Sequence, residues 1–266
     1  MISYRAMDTR PRQQILTLIA IALTFASGAN DVASFTRLGG VFTSVMTGNI
    51  VLWGLSAAQR SVSLFGHTAV SIAGYIAGVA GGTWVAHGFK VYVNGKPDEA
   101  DRDSVLPAHV SWSLFTELVL LAGLAAGWEA TGARPAGWVE FVLLAVTAAA
   151  MGVQASTVNE MGLTHVSTTF LTGTLTGLVS SLARPGHGTQ HGGRRFGVLI
   201  GLAAGALLCG LLVATAPRVV PVLPLAAVIT ALVLSAAPLS NEEDERNGAD
   251  ERNVNERNGE SERRAR

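Results

Sequence analysis

The chain reads as an all-α, polytopic membrane protein, and three observations carry that reading. Of its 266 residues 49% are hydrophobic and only 14% charged, against roughly 25% charged in an average soluble domain. Eight apolar segments recur, at 15–34, 38–58, 66–89, 110–129, 137–158, 164–182, 196–215 and 219–237. Most approach the ~20 residues a helix needs to cross a bilayer, and none shows the period-2 alternation of a strand.

Residues 1–14 are polar and place Arg5, Arg10 and Arg12 just before the first apolar run. That basic flank predicts a cytoplasmic N-terminal segment. A signal peptide is the rival, since Ala26-Ser27-Gly28 resembles a small-residue cleavage site. The later half has a similar apolar run before its own polar stretch, which argues that the first run is retained.

The stretch 28–51, GANDVASFTRLGGVFTSVMTGNIV, is polar where its neighbours are not, and 152–179, GVQASTVNEMGLTHVSTTFLTGTLTGLV, is a second copy. Thr47-Gly48 matches Thr172-Gly173 at an offset of 172 − 47 = 125, and Asn30 matches Gln154 at 154 − 30 = 124. The third and seventh segments add two arrays of glycines four apart, Gly74/Gly78/Gly82 and Gly197/Gly201/Gly205. Aligned in that order their offset is 197 − 74 = 123. Such arrays let a neighbouring backbone approach closely. Two internal repeats of four segments follow, 15–130 and 137–237.

The number of crossings is six to eight. If all eight segments span, the halves are parallel repeats; if the second and sixth are broken or re-entrant, six helices span and the halves are inverted. Counting Lys and Arg in the connections splits them eight inside to five outside, or nine to four, a slight preference for six. Both topologies stay open, and both place the two termini in the cytoplasm.

The connections carry little chemistry. The 90–107 link clusters Asp98, Glu99, Asp101 and Asp103 but lacks the calcium-loop pattern. In 184–195, His187 and His191 lie in a glycine-rich basic loop, which rarely holds a metal without further ligands. Cys209 is the single cysteine, so neither an internal disulfide nor a cysteine metal cluster is possible, and its apolar setting suits a small buried residue. From Asn241 onward nine acids and six arginines crowd a segment with almost no apolar residue. This 241–266 tail is expected to be disordered. A net charge of zero gives no support for nucleic-acid binding.

Asp31 is the sharpest candidate for function, because Ser27-Gly28-Ala29-Asn30 before it reads as a helix interruption. Broken membrane helices expose backbone groups that bind ions or polar solutes near the midplane. The alternative is that Asp31 caps the next helix or pairs with Arg37. Thr47 and Asn49, with Thr172 as counterpart, either line a pathway or bond the halves together. Gln154, Asn159 and Glu160 occupy the second copy's version of the first polar region. Glu117 lies among Leu114, Phe115, Leu118 and Val119, so it should face the bundle interior, for proton coupling or an interhelical hydrogen bond. No GxSxG, HExxH or phosphate-loop pattern is present, so no enzyme, cofactor or metal is expected.

The segments GANDVASFTRLGGVFTSVMTGNIVLWG, MGVQAS and TTFLTGTLTGL resemble the YoaK-like bacterial membrane proteins, whose shared region is called domain of unknown function 1275. The likeness covers about 15–237. It implies a multi-pass protein of the bacterial inner membrane, and it brings no substrate or catalytic residue; the charged tail lies outside it. The expectation is a permease for a small polar solute or proton in a lipid bilayer, its site between the repeats. The rival is a non-transporting scaffold or partner-binding protein. Substrate and oligomeric state are beyond the sequence.

Overall fold

A computed structural model describes residues 9–92, 106, 108–161, 171–183 and 192–236. The expected tail, the acidic stretch 98–103, His187, His191 and Arg5 lie outside the described residues. Those described form eight α-helices: α1 (Thr9–Arg37), α2 (Met46–Ala58), α3 (Val62–Tyr92), α4 (Ala108–Ala130), α5 (Trp138–Glu160), α6 (Leu171–Leu182), α7 (Gly192–Thr215) and α8 (Val222–Ser235). A 3-10 turn, Pro217–Val219, leads into α8.

Six of these are long and apolar enough to cross a membrane: 12–37, 62–88, 109–130, 138–160, 192–215 and 217–235. The second apolar segment yields only α2, of 13 residues. At ~1.5 Å per residue it reaches about 20 Å, short of a ~30 Å hydrocarbon layer. Contacts between α1 and α5 bear on the same question. Asn30 meets Met151 while Ser27 meets Gln154, so one helix number rises as the other falls and the two run antiparallel. Eight alternating crossings would make the first and fifth segments parallel. Six crossings fit; eight do not.

One expectation is corrected here. The run Ser27-Gly28-Ala29-Asn30 does not break its helix: α1 continues through Asp31 to Arg37, and α5 continues through Gly152. Both glycines are used between helices instead. A Cβ on Gly28 would meet the backbone of Leu202 and Ala206, and one on Gly152 the backbone of Tyr75 and Val79. A glycine inside a helix costs about 1 kcal/mol against alanine, and the close packing it permits offsets that. The chain turns only at Gly39 and Gly40, whose φ of +89° and +73° suit glycine.

The scaffold is built from two extensive pairings, α3 on α5 and α1 on α7, flanked by α4 on α5 and α8 on α1. The glycine arrays form the seams. Gly74 and Gly78 sit on Ala145 and Ala149, while Gly201 and Gly205 sit on Ile21 and Phe25. Since 145 − 21 and 149 − 25 are both 124, packing matches Gly74 with Gly201, one four-residue step from the order read in the sequence. Shorter α2 lies chiefly on α3, and α6 on α7. Many large apolar side chains remain exposed, among them Trp84, Trp138, Leu207 and Val233, as a lipid-facing surface requires.

Candidate functional site

Two of the predicted polar residues serve the connection between α1 and α2. Asp31, in the last turns of α1, accepts the backbone N–H groups of Thr43 and Ser44 on Oδ1, both at 2.8 Å, and the Ser44 hydroxyl on Oδ2. Asn49, in the first turn of α2, accepts the Phe42 N–H at 2.9 Å and donates to the Phe42 carbonyl at 2.6 Å and to Ser71 Oγ at 3.0 Å. These bonds satisfy an irregular backbone that hydrocarbon would leave unpaired. Asp31 thus bonds the segment between α1 and α2, whereas α2 itself, with Val45 at its N-cap, has no side-chain cap bond. Arg37 instead donates from Nη2 to the Val213 carbonyl at 3.3 Å.

The same end of the bundle holds a cluster that sequence reasoning missed. His67 of α3 stacks on Phe141 at 4.2 Å between ring centroids, and its Nε2 lies 3.2 Å from Glu140 Oε1. Its Nδ1 is 2.7 Å from the Ser63 carbonyl. A side chain on Gly39 would strike the imidazole. Nothing in the local sequence of Glu140 signals that His67, 73 positions earlier (140 − 67), comes to meet it.

The bundle's middle is polar where α1 crosses α5. Asn30 donates from Nδ2 to Met151 Sδ at 3.6 Å. Gln154 donates from Nε2 to Ser27 Oγ at 2.8 Å and to the Leu23 carbonyl at 3.1 Å. The two links share one spacing, since 154 − 30 and 151 − 27 are both 124. Asn30 and Gln154 are each 1% exposed, and the amide oxygens of both lack a hydrogen-bond partner. Glu117 of α4 is 0% exposed, with neither carboxyl oxygen partnered. Ser27 and Met151 were absent from the sequence candidates, although their 124-residue spacing was a usable signal.

The remaining candidates stand apart from this centre. Thr47, Asn159, Glu160 and Thr172 are exposed. Glu160 ends α5, with its Oε2 3.9 Å from His109 Nε2. The position 124 after Asp31 is Ala155, so Glu160 is not its equivalent. Thr47 and Thr172 lie on the short helices α2 and α6, which pack chiefly on α3 and α7 respectively. Among the described residues no group of three or more His, Cys, Asp or Glu side chains is placed to hold a metal ion.

Comparison with known proteins adds a family. The family described as "Protein of unknown function (DUF1275)" matches residues 19–236. The UPF0700 transmembrane protein YoaK of Bacillus subtilis (strain 168) is 29% identical over 168 residues, which is 63% of this chain and 67% of that protein. No solved structure matches the chain.

Proposed function

We propose that this chain, which belongs to the DUF1275 family of unknown function, is a small permease for a polar solute or ion. The observation that carries the reading is the α1–α5 crossing. There Asn30 and Gln154 hold unpartnered oxygens, as Glu117 does on α4, deep inside a bundle of membrane-spanning helices. Polar groups at that depth are costly in lipid and generally mark a pathway or site. Two inverted repeats, 15–130 and 137–237, account for the matched links Asn30–Met151 and Gln154–Ser27, and inverted-repeat transporters bind their cargo at such an axis.

The site is narrower than the sequence candidates implied. Asn30, Glu117 and Gln154 form it; Asp31 and Asn49 support the connection between α1 and α2; Thr47, Asn159, Glu160 and Thr172 are outside it. The protein acts without chemical catalysis, in the bacterial cytoplasmic membrane; an even number of crossings puts both termini on one side, and the basic flank Arg5, Arg10 and Arg12 favours the cytoplasmic one.

A second reading, a non-transporting scaffold, draws on the complete hydrogen bonding of Asp31 and Asn49. One experiment separates the two. Purified protein is scanned for thermal stabilisation against panels of monovalent salts, amino acids, sugars and organic acids, then reconstituted to measure flux of any that stabilise. A permease shows one class that stabilises and moves, with both effects lost in Gln154→Leu. Stabilisation by none of the panels, with liposomes no leakier than protein-free ones, supports the scaffold.

A further inference from the structure

Glu117 can be located in the bundle from contacts on either side of it. Towards one end of α4, His109 lies beside Glu160; towards the other, Gly127 abuts the Leu143 side chain. Antiparallel helices advance at equal rates, so both contacts set Glu117 at the level of residues 152–153 of α5, within one turn of Gln154 along the axis. Gln154 in turn is bonded to Ser27 on α1, one turn from Asn30.

What collects at this level is acceptors. The amide N–H groups of Asn30 and Gln154 are already directed at Met151, Ser27 and Leu23. Their oxygens and both oxygens of Glu117 have no donor. A carboxylate anion here would be both desolvated and surrounded by lone pairs. A carboxylic acid has one O–H to give, and that hydrogen is what the cluster lacks.

On α1, Asp31 adjoins Asn30 in sequence, its carboxylate held by the Thr43 and Ser44 N–H groups and the Ser44 hydroxyl. On the elements against α4 the other titratable groups with described side chains are His67, Tyr75 and His87 of α3 and Glu140 and Glu160 of α5, with none on α8. Within α4 itself they are His109 and Glu129. Apart from Asp31 and Tyr75, each lies in the first or last turns of its helix.

We propose that Glu117 binds one exchangeable proton and presents it to the unpaired amide oxygens at the α1–α5 crossing. The step is a simple association: the carboxylate takes H⁺ from one aqueous face, forms an O–H bond, and releases H⁺ by breaking it. This deepens the permease reading by naming the coupling ion, and it rests on that reading for its role.

Infrared difference spectroscopy of the purified full chain tests it. The expected result is a protonated-acid C=O band near neutral pH that shifts in D₂O, disappears on alkaline titration and is missing in Glu117→Gln. Wild-type protein carrying ¹³C-labelled glutamate should move the same band, so the assignment stands even if the variant fails to fold. An absent band, or one that neither exchanges nor titrates, overturns the proposal, the latter because it signals a fixed interhelical bond. So does bleaching by sodium but not choline chloride at constant pH, which would make the ligand a metal cation. A band that titrates in protein showing no flux keeps the proton site and removes the permease; solute flux without the band does the reverse.

Discussion

Gln154 reaches from α5 to Ser27 on α1, Nε2 to Oγ at 2.8 Å, and this bond ties together the two helices that open the halves of the chain. Asn30 makes the matching link in the opposite direction to Met151. Bonds of this kind between membrane helices contribute about 0.6 kcal/mol on average and up to about 1.7. Replacing Gln154 with Leu should therefore lower stability by about 1 kcal/mol and leave the fold intact, since Ser27 keeps its bond to the Leu23 carbonyl. Thermal unfolding in detergent measures the first part, and solute-dependent stabilisation the second. Loss of folded protein on this one change would mean the crossing is mainly architectural.

Asp31 should behave differently. Asp31→Ala strips the acceptor from the Thr43 and Ser44 N–H groups, and each orphaned buried donor costs about 1–3 kcal/mol. Asp31→Asn keeps one oxygen for the two N–H groups and should be milder. The expected order of melting temperature is wild type, Asn, then Ala, with faster proteolysis within 38–45 in the Ala variant. An Ala variant as stable as wild type would show that the connection does not depend on this carboxylate.

Much of this was legible beforehand, and the failures have physical causes. Membrane class came from apolar length, and the pairing of Asn30 with Gln154 from a repeated spacing of 124 residues, which the Asn30–Met151 and Ser27–Gln154 bonds also carry. Gly28 misled because glycine is a local breaker signal, while its use here is against Leu202 and Ala206, contacts that no local window sees. The register between the two glycine arrays is ambiguous in sequence because an array with period four matches itself when slid by four. The role of Asp31 was open for a related reason: a bond to a backbone N–H 12 residues later depends on how the intervening turn folds.

The glycine seams give a paired test on a single helix. Gly78 and Gly81 are neighbours on α3, yet a Cβ on Gly78 would meet the Ala149 backbone while one on Gly81 meets open space. Overpacking a tight contact costs about 1–3 kcal/mol, whereas an exposed helical glycine gains up to about 1 kcal/mol on becoming alanine. Gly78→Ala should destabilise and Gly81→Ala should not. Equal melting temperatures for the two would place the α3–α5 seam elsewhere.

The crossing number can be read by labelling. With α2 and α6 not spanning, the end of α1 and the α2–α3 turn share one face of the membrane; with eight crossings a full span separates them. Cys209 is buried, so replacing it with Ala gives a thiol-free background in which Thr36→Cys and Gln59→Cys, both at exposed positions, are introduced singly. In sealed vesicles of one orientation, an impermeant maleimide should label both or neither, and inverting the vesicles should switch both together. Both sites must also agree with Gly132→Cys in the α4–α5 turn, because α3 and α4 cross once each between them. Labelling of Thr36→Cys and Gln59→Cys from opposite faces would restore eight crossings, make α1 and α5 parallel, and so separate Gln154 from Ser27. The antiparallel crossing, and the proton site built on it, stand or fall with that result.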